Sequence, residues 1–267
     1  MTAFFLHMDN RPIGIFDSGV GGISILNELF KKLRNEKFIY LADNKNCPYG
    51  NKSKKIITEL SIKNCKELIK LNCKVIIVAC NTSTTNSIES LRKVFKCPII
   101  GIEPGIKPAI LETKTKKIGV LATEKTLTSD VFLRTQNSNN KEEIKIYEQP
   151  GFDLVESLEK GVQIESILFK QKLNKYLFPM IEKNIDHLVL GCTHYNFLKD
   201  EIKKIIGDKI KIVDSIMPVV NQTKKILNEF KLNSAKNTRG SIKLFYNSKK
   251  ISKNFIDEIF KIERKEF

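Results

Sequence analysis

Two cysteines with polar neighbours stand at the ends of apolar runs in this 267-residue sequence. Cys80 follows the run at 75–79 and precedes Asn-Thr-Ser, and Cys192 follows the run at 188–191 and precedes Thr-His. A short apolar run followed by such residues is typical of a buried strand that turns into a helix. A thiol at a helix N-terminus has a lowered pKa and therefore more of the reactive thiolate. We therefore expect both cysteines to be reactive, although a single strand-end cysteine is usually an inert core residue.

Two thiols that face one ligand suit a reaction that inverts a carbon centre. One group removes a proton from one face of the carbon, and the other returns a proton to the opposite face. The ordinary cysteine pKa of ~8.5 lets each group be thiol or thiolate near neutral pH. Nucleophilic catalysis would need only one cysteine. The pair predicts an isomerase without a cofactor, and a small-ligand binding module without catalysis is the alternative.

Polar residues beside the two cysteines are candidate helpers. Asp17 precedes the glycine-rich turn at 19–22, and it is either a helper of Cys80 or a helix cap. The turn itself offers free backbone N–H groups that suit a carboxylate, or it is simply a tight turn that needs positive φ. His194, two residues after Cys192, is either a proton partner or a structural histidine.

The remaining motifs predict less specific features. The turn at Tyr49-Gly50 offers a hydroxyl and a backbone N–H to a ligand, or is only a turn. We interpret Cys65, Cys73 and Cys97 as core residues. The six cysteines show no Cys-x-x-Cys spacing and no following histidine pair, so we expect no metal site.

The elements that must position these residues alternate along the chain. Short apolar runs predict strands at 13–16, 38–41, 75–78, 99–101, 117–121, 144–147, 188–190 and 210–213. Amphipathic stretches predict helices at 23–33, 54–71, 84–95, 129–135, 164–178, 195–206 and 216–230, and the Asn-rich stretch 136–140 predicts an exposed loop. This alternation favours an α/β fold with parallel sheets flanked by helices.

A faint internal repeat divides the chain into two halves. Ile13-Gly-Ile-Phe-Asp-Ser opens one half and Ile118-Gly-Val-Leu-Ala-Thr opens the other, and each half later delivers a strand that ends near a cysteine. Ligands of open parallel sheets bind at the carboxyl ends of the strands. Two pseudo-symmetric α/β domains would therefore place both thiols in the cleft between them.

Composition excludes several classes of protein. The length suggests about two domains, and 41% hydrophobic and 28% charged residues are ordinary for a globular protein. No apolar run approaches the roughly 20 residues of a membrane helix, and no signal peptide is evident, with Met1 or Met8 as the start. We therefore expect a cytoplasmic protein with reduced thiols.

The net charge of +16 leaves one alternative from another class. It comes from 40 lysines spread along the chain beside only six arginines. Recognition of phosphates and bases depends strongly on arginine. Binding of nucleic acid or another polyanion is therefore possible but not favoured.

Taken together, the motifs resemble the glutamate racemases of the aspartate/glutamate racemase superfamily. The matching segments are Gly14–Gly22, Asp43, Pro48–Ser53, Ala79–Ser83, Gly101–Gly105, Ile118–Thr123, Leu190–Tyr195 and Val213–Ser215. They stand in family order over most of the chain. The sequence departs from the family at Gln149-Pro-Gly-Phe, which is one residue shorter, and at Asn196, where proline is usual.

The resemblance implies roles for individual residues. Cys80 would take the α-proton of D-glutamate with the help of Asp17, and Cys192 that of L-glutamate with the help of His194. The family's glutamate of the second domain falls on Glu156, with Glu159 as the alternative. The residues that would bind the substrate are Asp17, Ser18, Tyr49, Gly50, Asn81, Thr82, Thr193 and His194.

The resemblance also implies the molecular context. The expected reaction interconverts L- and D-glutamate without pyridoxal phosphate or metal and supplies D-glutamate for peptidoglycan, in a homodimer. An aspartate-type racemase is the alternative within the superfamily, although Cys192-Thr-His favours glutamate. The implied domains are 1–101 plus 214–267, which the C-terminal helices complete, and 102–213.

Overall fold

A computed structural model describes residues 8–139 and 143–247 of the chain. The strands of this part are β1 (Ile13–Asp17), β2 (Lys37–Ala42), β3 (Val75–Val78), β4 (Ile99–Gly101), β5 (Lys117–Ala122), β6 (Lys145–Pro150), β7 (His187–Gly191), β8 (Lys211–Val213) and β9 (Ser241–Tyr246). Its helices are α1 (Ile23–Lys32), α2 (Lys54–Lys70), α3 (Asn81–Val94), α4 (Ile106–Glu112), α5 (Glu124–Leu127), α6 (Asp130–Asn139), α7 (Leu154–Glu159), α8 (Ile167–Ile181), α9 (Lys199–Ile206) and α10 (Ile216–Glu229). Three 3₁₀ turns lie at Asn44–Asn46, Tyr49–Asn51 and Thr193–Leu198.

The strands form two parallel sheets that repeat one topology. The first sheet has the order β4-β3-β1-β2-β9, and the second has the order β8-β7-β5-β6. Each strand of the second sheet thus occupies the position that the strand numbered four lower has in the first sheet. β5 corresponds to β1, and β7 corresponds to β3. The predicted pair of α/β domains with parallel sheets flanked by helices is confirmed.

Each sheet is covered by helices on both faces because its strands are apolar on both faces. In β3, Val75 and Ile77 pack in the cluster that contains α1 and α10, and Ile76 and Val78 pack in the cluster with α2 and α3. In the second sheet, β7 is likewise shared between a cluster with α8 and α9 and a cluster with α4 and α6. Burial of one such side chain contributes ~1.5–3 kcal/mol.

Some predicted boundaries are wrong for local reasons. α8 begins at Ile167 rather than 164 because the Ser166 hydroxyl caps it by accepting from the Phe169 N–H at 3.3 Å. α6 extends to Asn139, so the loop predicted at 136–140 is wrong up to that residue, and 140 lies outside the described residues. Asparagine is a weak helix former but does not break a helix.

The C-terminal part of the chain adds a strand that the sequence analysis did not predict. β9 pairs in parallel with β2, from Lys37–Ser241 to Ala42–Tyr246. Ile242 and Leu244 alternate along it and pack against the core of the first sheet. The domain limits 1–101 plus 214–267 and 102–213 remain a prediction, and their parts at 1–7 and 248–267 lie outside the described residues.

The two domains meet at the carboxyl ends of their central strands. The Thr82 hydroxyl, after β3, lies 2.8 Å from that of Thr123, after β5. The Thr193 hydroxyl, after β7, donates to Asp17 at the end of β1 at 3.2 Å. Polar side chains thus link the two domains across the cleft. Within the described residues, no helix combines the length and the apolar character needed to cross a membrane.

Candidate active site

Cys80 lies buried at the junction of β3 and α3. Its Sγ caps the helix by accepting from the Ser83 N–H at 3.4 Å, and it lies 3.4 Å from the Ser18 hydroxyl. Burial raises the pKa of this thiol and the nearby charge of Asp17 raises it further, while the bonds to Ser18 and Ser83 act in the opposite direction. The lowered pKa that the helix terminus predicts for Cys80 is therefore wrong, because burial outweighs the helix terminus.

Asp17 is completely buried at the end of β1, where it joins the two domains. It accepts from the backbone N–H of Gly22, from the Ser18 hydroxyl at 3.3 Å and from the Thr193 hydroxyl at 3.2 Å. Burial raises the pKa of the carboxyl, although His194 and the Gly22 N–H favour its charged form. Asp17 thus binds the backbone N–H of Gly22, just before α1, and reaches the thiol of Cys80 through Ser18; its role as a helper of Cys80 stays a prediction.

Cys192 follows β7 and opens a 3₁₀ turn rather than an α-helix. Its Sγ lies 3.9 Å from Nδ1 of the buried His194. The other ring nitrogen of His194, Nε2, lies 2.6 Å from Glu159 Oε1. The imidazole therefore stands between a thiol and a carboxylate.

The pair of His194 and Glu159 is charged. Burial alone would lower the pKa of His194, but its bonds to Cys192 and Glu159 raise it well above its ordinary value. Burial would raise the pKa of Glu159, but His194, the Val20 N–H and Asn44 hold it below its ordinary value. The site thus contains an imidazolium beside a carboxylate, with the imidazolium also facing the thiol.

Of the two candidate glutamates, the structure places Glu159 against His194. Glu159 ends α7 and also accepts from the Val20 N–H at 2.8 Å and from Asn44 at 3.0 Å, both in the first domain. Glu156, one turn earlier, accepts from Asn51 at 3.0 Å near the surface. The geometry therefore favours Glu159 as the partner of His194, and the role that the resemblance implies for Glu156 stays a prediction.

The two cysteines are thus connected through polar groups across the cleft. Sγ of Cys80 contacts Ser18, Ser18 donates to Asp17, and Asp17 accepts from Thr193, which adjoins Cys192. Negative charge on Cys192 is also among the smaller influences that raise the pKa of Cys80, after burial and Asp17. Two thiols at equivalent strand ends, one linked to Asp17 and the other beside the pair of His194 and Glu159, have a placement that suits proton transfer at one ligand between them.

Comparison with known proteins agrees with this arrangement. The family model described as Asp/Glu/Hydantoin racemase matches residues 24–223. The chain belongs to this racemase family. A glutamate racemase of Clostridium novyi is 40% identical over 267 residues, covering 97% of this chain and 98% of that relative. One of Ralstonia pickettii is 42% identical over 204 residues, covering 76% of this chain and 72% of that relative.

Solved structures of racemases have the same architecture. The glutamate racemase of Francisella tularensis in complex with D-glutamate superposes with a TM-score of 0.82 at 30% identity, covering 95% of this chain and 94% of that chain. The isoform RacE1 of Bacillus anthracis gives a TM-score of 0.84 at 28% identity, covering 96% and 95%. The resemblance to glutamate racemases that the motifs predicted is confirmed.

The other predicted binding residues of the racemase are all close to the cleft, but several use their polar groups internally. The Tyr49 hydroxyl donates to Asp43 at 2.5 Å and accepts from Asn64 at 3.1 Å. The Asn81 amide donates to the carbonyl of Ile102 at 3.4 Å. The hydroxyl of Tyr49 is thus bonded within the first domain, and Gly50, beside it, lies against Thr123 of the other domain.

The glycine-rich turn of the racemase brings the two domains into close contact. A Cβ atom on Gly19 would lie 2.0 Å from Glu159 Oε1, and one on Gly21 would lie 2.6 Å from the backbone nitrogen of His194. Positive φ occurs at Gly161 and Gly207 but not in this turn, so the prediction of a tight turn with positive φ is wrong. Its free N–H groups bind carboxylates of the protein itself, namely Asp17 and Glu159.

Two residues that lie beside the predicted site residues were not singled out by the sequence analysis. Thr123 is the equivalent of Ser18 in the internal repeat, and that correspondence was the signal that could have identified it. Cys47 carries no motif, yet its Sγ lies in a group with Glu159 and His194 in which the three ligand-type atoms are all within 4.8 Å of one another. Its place results from the loop after β2, which no local sequence pattern specifies.

Proposed function

We propose that this racemase interconverts L- and D-glutamate by proton transfer at Cα between two cysteines. The observation that carries the proposal is the placement of Cys80 and Cys192 at equivalent strand ends of the two domains, connected through Ser18, Asp17 and Thr193. The substrate follows from the relatives, which are named glutamate racemases, one of them in complex with D-glutamate. Glutamate rather than aspartate also agrees with His194 after Cys192-Thr.

On the first side, Ser18 connects the thiol of Cys80 to Asp17. Because the single hydroxyl proton of Ser18 is donated to Asp17, its oxygen is free to accept the proton of the thiol. The raised pKa of Asp17 makes this carboxyl able to hold a proton. We infer that Asp17 receives the thiol proton through Ser18 as the thiolate forms, and that the thiolate then removes the α-proton of D-glutamate.

On the second side, His194 is the partner of Cys192. A cation beside a sulfur favours the thiolate, and His194 is kept protonated by Glu159 at 2.6 Å. The thiolate of Cys192 would remove the α-proton of L-glutamate. In the other direction its thiol would protonate the opposite face of the carbanion that Cys80 has generated.

The α-proton of an amino acid has a much higher pKa than a thiol. The groups that bind the substrate must therefore also lower the barrier to removal of this proton. Each pKa unit of this difference costs ~1.4 kcal/mol, which groups around the carboxylate and the amino group must offset in the transition state. The candidates are Ser18, Gly50, Asn81, Thr82 and Thr193. We propose that Thr82 exchanges its bond with Thr123 for a bond to the substrate, and that Tyr49 acts by holding Asp43 and Gly50 in place.

The context of the reaction also remains part of the proposal. The proposed chemistry uses only side chains of the protein, so we expect no pyridoxal phosphate and no metal to be required. We place the racemase in the cytoplasm as a homodimer that supplies D-glutamate for peptidoglycan.

Replacement of each cysteine by serine tests the proposal. We expect Cys80→Ser and Cys192→Ser each to lower racemisation of glutamate by about 10²–10⁴-fold or more, because each removes one acid–base group. Racemisation is followed by circular dichroism, and exchange of the α-proton by deuterium incorporation in D₂O. Cys65→Ser, in the core between α2 and the first sheet, is the control. Turnover close to that of the unaltered protein in either site variant would refute the two-cysteine scheme.

A further inference from the structure

The side chains of Cys47, Glu159 and His194, which carry three different kinds of metal-binding atom, lie close together. Cys47 Sγ, a Glu159 carboxylate oxygen and a ring nitrogen of His194 all lie within 4.8 Å of one another. Thiolate, carboxylate and imidazole are the three ligand types that Zn²⁺ takes in proteins, at distances of roughly 2.0–2.3 Å. Ligands of a tetrahedral ion at those distances are about 3–4 Å apart, so small side-chain movements would complete the geometry.

Cys47 has no role in the proposed reaction, which uses Cys80 and Cys192. Burial raises its pKa, as do the charges of Glu159 and Asp17, so the group is a neutral thiol in the metal-free protein. It lies in the loop after β2, close to Gly19 and opposite the end of α7. A divalent cation would replace the thiol proton, which leaves to solvent when a metal binds.

Asn44 is a fourth polar residue near this group, and its side-chain oxygen has no partner among the described residues. Oδ1 of Asn44 is one of two buried side-chain polar atoms that have no hydrogen-bond partner in the described part of the chain. The amide nitrogen of the same residue donates to Glu159 Oε2 at 3.0 Å. The first domain therefore contributes the thiol of Cys47 to the group, together with the amide of Asn44, which contacts Glu159.

We infer that Cys47, Glu159 and His194 form a site for a thiophilic divalent cation such as Zn²⁺, and that the bound ion inhibits the racemase. Nε2 of His194 faces Glu159, and Nδ1 faces Cys192, so the cation binds on the side of the ring remote from the thiol. The cation would lie between His194 and Glu159 in place of the Nε2 proton, which leaves to solvent as the thiol proton does. Cys192 then loses its cationic partner. The inhibitory effect rests on the proposed function, whereas the site itself does not.

Inhibition by Zn²⁺ tests the effect with a matched variant. We expect Zn²⁺ to inhibit glutamate racemisation reversibly, with recovery on addition of EDTA. Cys47→Ala should keep the basal rate but need about 10–100-fold more Zn²⁺ for half inhibition, because one ligand is lost. Equal sensitivity of the variant and the unaltered protein would overturn the proposal and assign inhibition to Cys80 and Cys192.

A spectroscopic measurement tests the site without activity. Co²⁺ added to Cys80→Ala/Cys192→Ala should give the near-ultraviolet charge-transfer band of a cobalt thiolate. The same protein with Cys47→Ala as a third change should not give it, although Cys65, Cys73 and Cys97 are retained in both. Absence of the band in the double variant overturns the metal site. A band together with an unaltered protein that does not racemise glutamate would refute only the proposed function.

Discussion

A single imidazole connects the acid–base chemistry of the second domain with its electrostatics. Nδ1 of His194 faces Cys192, and Nε2 faces the carboxylate of Glu159 in a buried setting. An ion pair in such a place depends on both partners, because an unpaired buried charge is costly. The carboxylate therefore decides whether the ring stays protonated beside the thiol.

Removal of the charge on Glu159 tests this dependence. We expect Glu159→Gln to lower the kcat of glutamate racemisation by about 10²-fold, because His194 loses the anion that keeps it charged and oriented. Glu156→Gln is the matched control on the same helix, since Glu156 only accepts from Asn51 near the surface. A severe loss in Glu156→Gln with normal turnover in Glu159→Gln would return the role to Glu156, where the family motif places it.

At the scale of elements, a half-buried carboxylate holds the loop before β5 to the start of β7. Asp186 accepts from the Thr113 hydroxyl at 2.7 Å, from the N–H groups of Lys114 and Thr115 at 2.6 and 2.9 Å, and from His187 at 2.8 Å. Burial would raise its pKa, but these bonds hold the pKa well below the usual range. The carboxylate therefore stabilises the fold only while it is ionised.

This lowered pKa predicts a particular acid sensitivity. The stabilisation is fully present above the unfolded-state pKa of ~3.9 and is lost as the pH falls toward the folded-state value. We expect Asp186→Asn to reduce the free energy of unfolding by about 1–3 kcal/mol at neutral pH and to lose less stability than the unaltered protein between pH 5 and 3.

Urea unfolding at several pH values checks this prediction. Asp208→Asn is the control, because Asp208 is fully exposed and only pairs with Lys203 at 3.0 Å. If the free energy of unfolding fell by the same amount on acidification in Asp186→Asn and in the unaltered protein, protonation of Asp186 would not be the cause of the acid sensitivity.

The elements differ in how well the sequence predicts them. The strands of both sheets are apolar on both faces, so each of the first eight strands was predicted near its observed place. β9 was missed although Ile242 and Leu244 alternate with exposed residues, because an edge strand after a long loop gives a weak signal. The short helices α4, α5 and α7 were not predicted, because so few turns do not show the 3.6-residue spacing of apolar positions.

The site was predictable where the chemistry is local. Cys80, Cys192, Asp17 and His194 each follow an apolar strand, and the strand end predicts where they lie. Tyr49 could not be assigned from sequence, because the partner that takes its hydroxyl depends on how the loop after β2 folds. The choice between Glu159 and Glu156 likewise depends on which face of α7 the other domain covers.

For the whole molecule, the close approach of the two domains includes a contact at Gly21 that leaves no room for a side chain on this residue. The turn after β1 lies directly against the turn after β7, with Gly21 beside the backbone of His194. Ion pairs of Lys54 with Asp130 at 2.6 Å and of Arg134 with Glu89 at 2.5 Å span the same boundary at the surface. Exposed pairs contribute only ~0.2–1 kcal/mol each, so the glycine contact determines how closely the domains approach.

Enlargement of this glycine tests the contact. We expect Gly21→Ala to lower racemisation by about 10²-fold, since a shift of about 1 Å between acid–base groups and substrate is enough for such a loss. The rate is measured with saturating glutamate, and the thermal unfolding midpoint serves as the control for folding. Lys54→Ala, which removes a surface pair across the same boundary, should leave the rate nearly unchanged. Normal turnover in Gly21→Ala would mean that catalysis tolerates a wider cleft.

The position of β9 has a consequence for biosynthesis. The four strands of the second sheet all lie between residues 117 and 213, whereas the first sheet receives its last strand from 241–246. A nascent chain leaves the ribosome from its N-terminus, so the middle of the polypeptide can complete its sheet before the earlier part can. Until β9 emerges, β2 presents an uncovered edge that invites pairing with other chains. A strand that is translated late thus protects one of the first strands to be made.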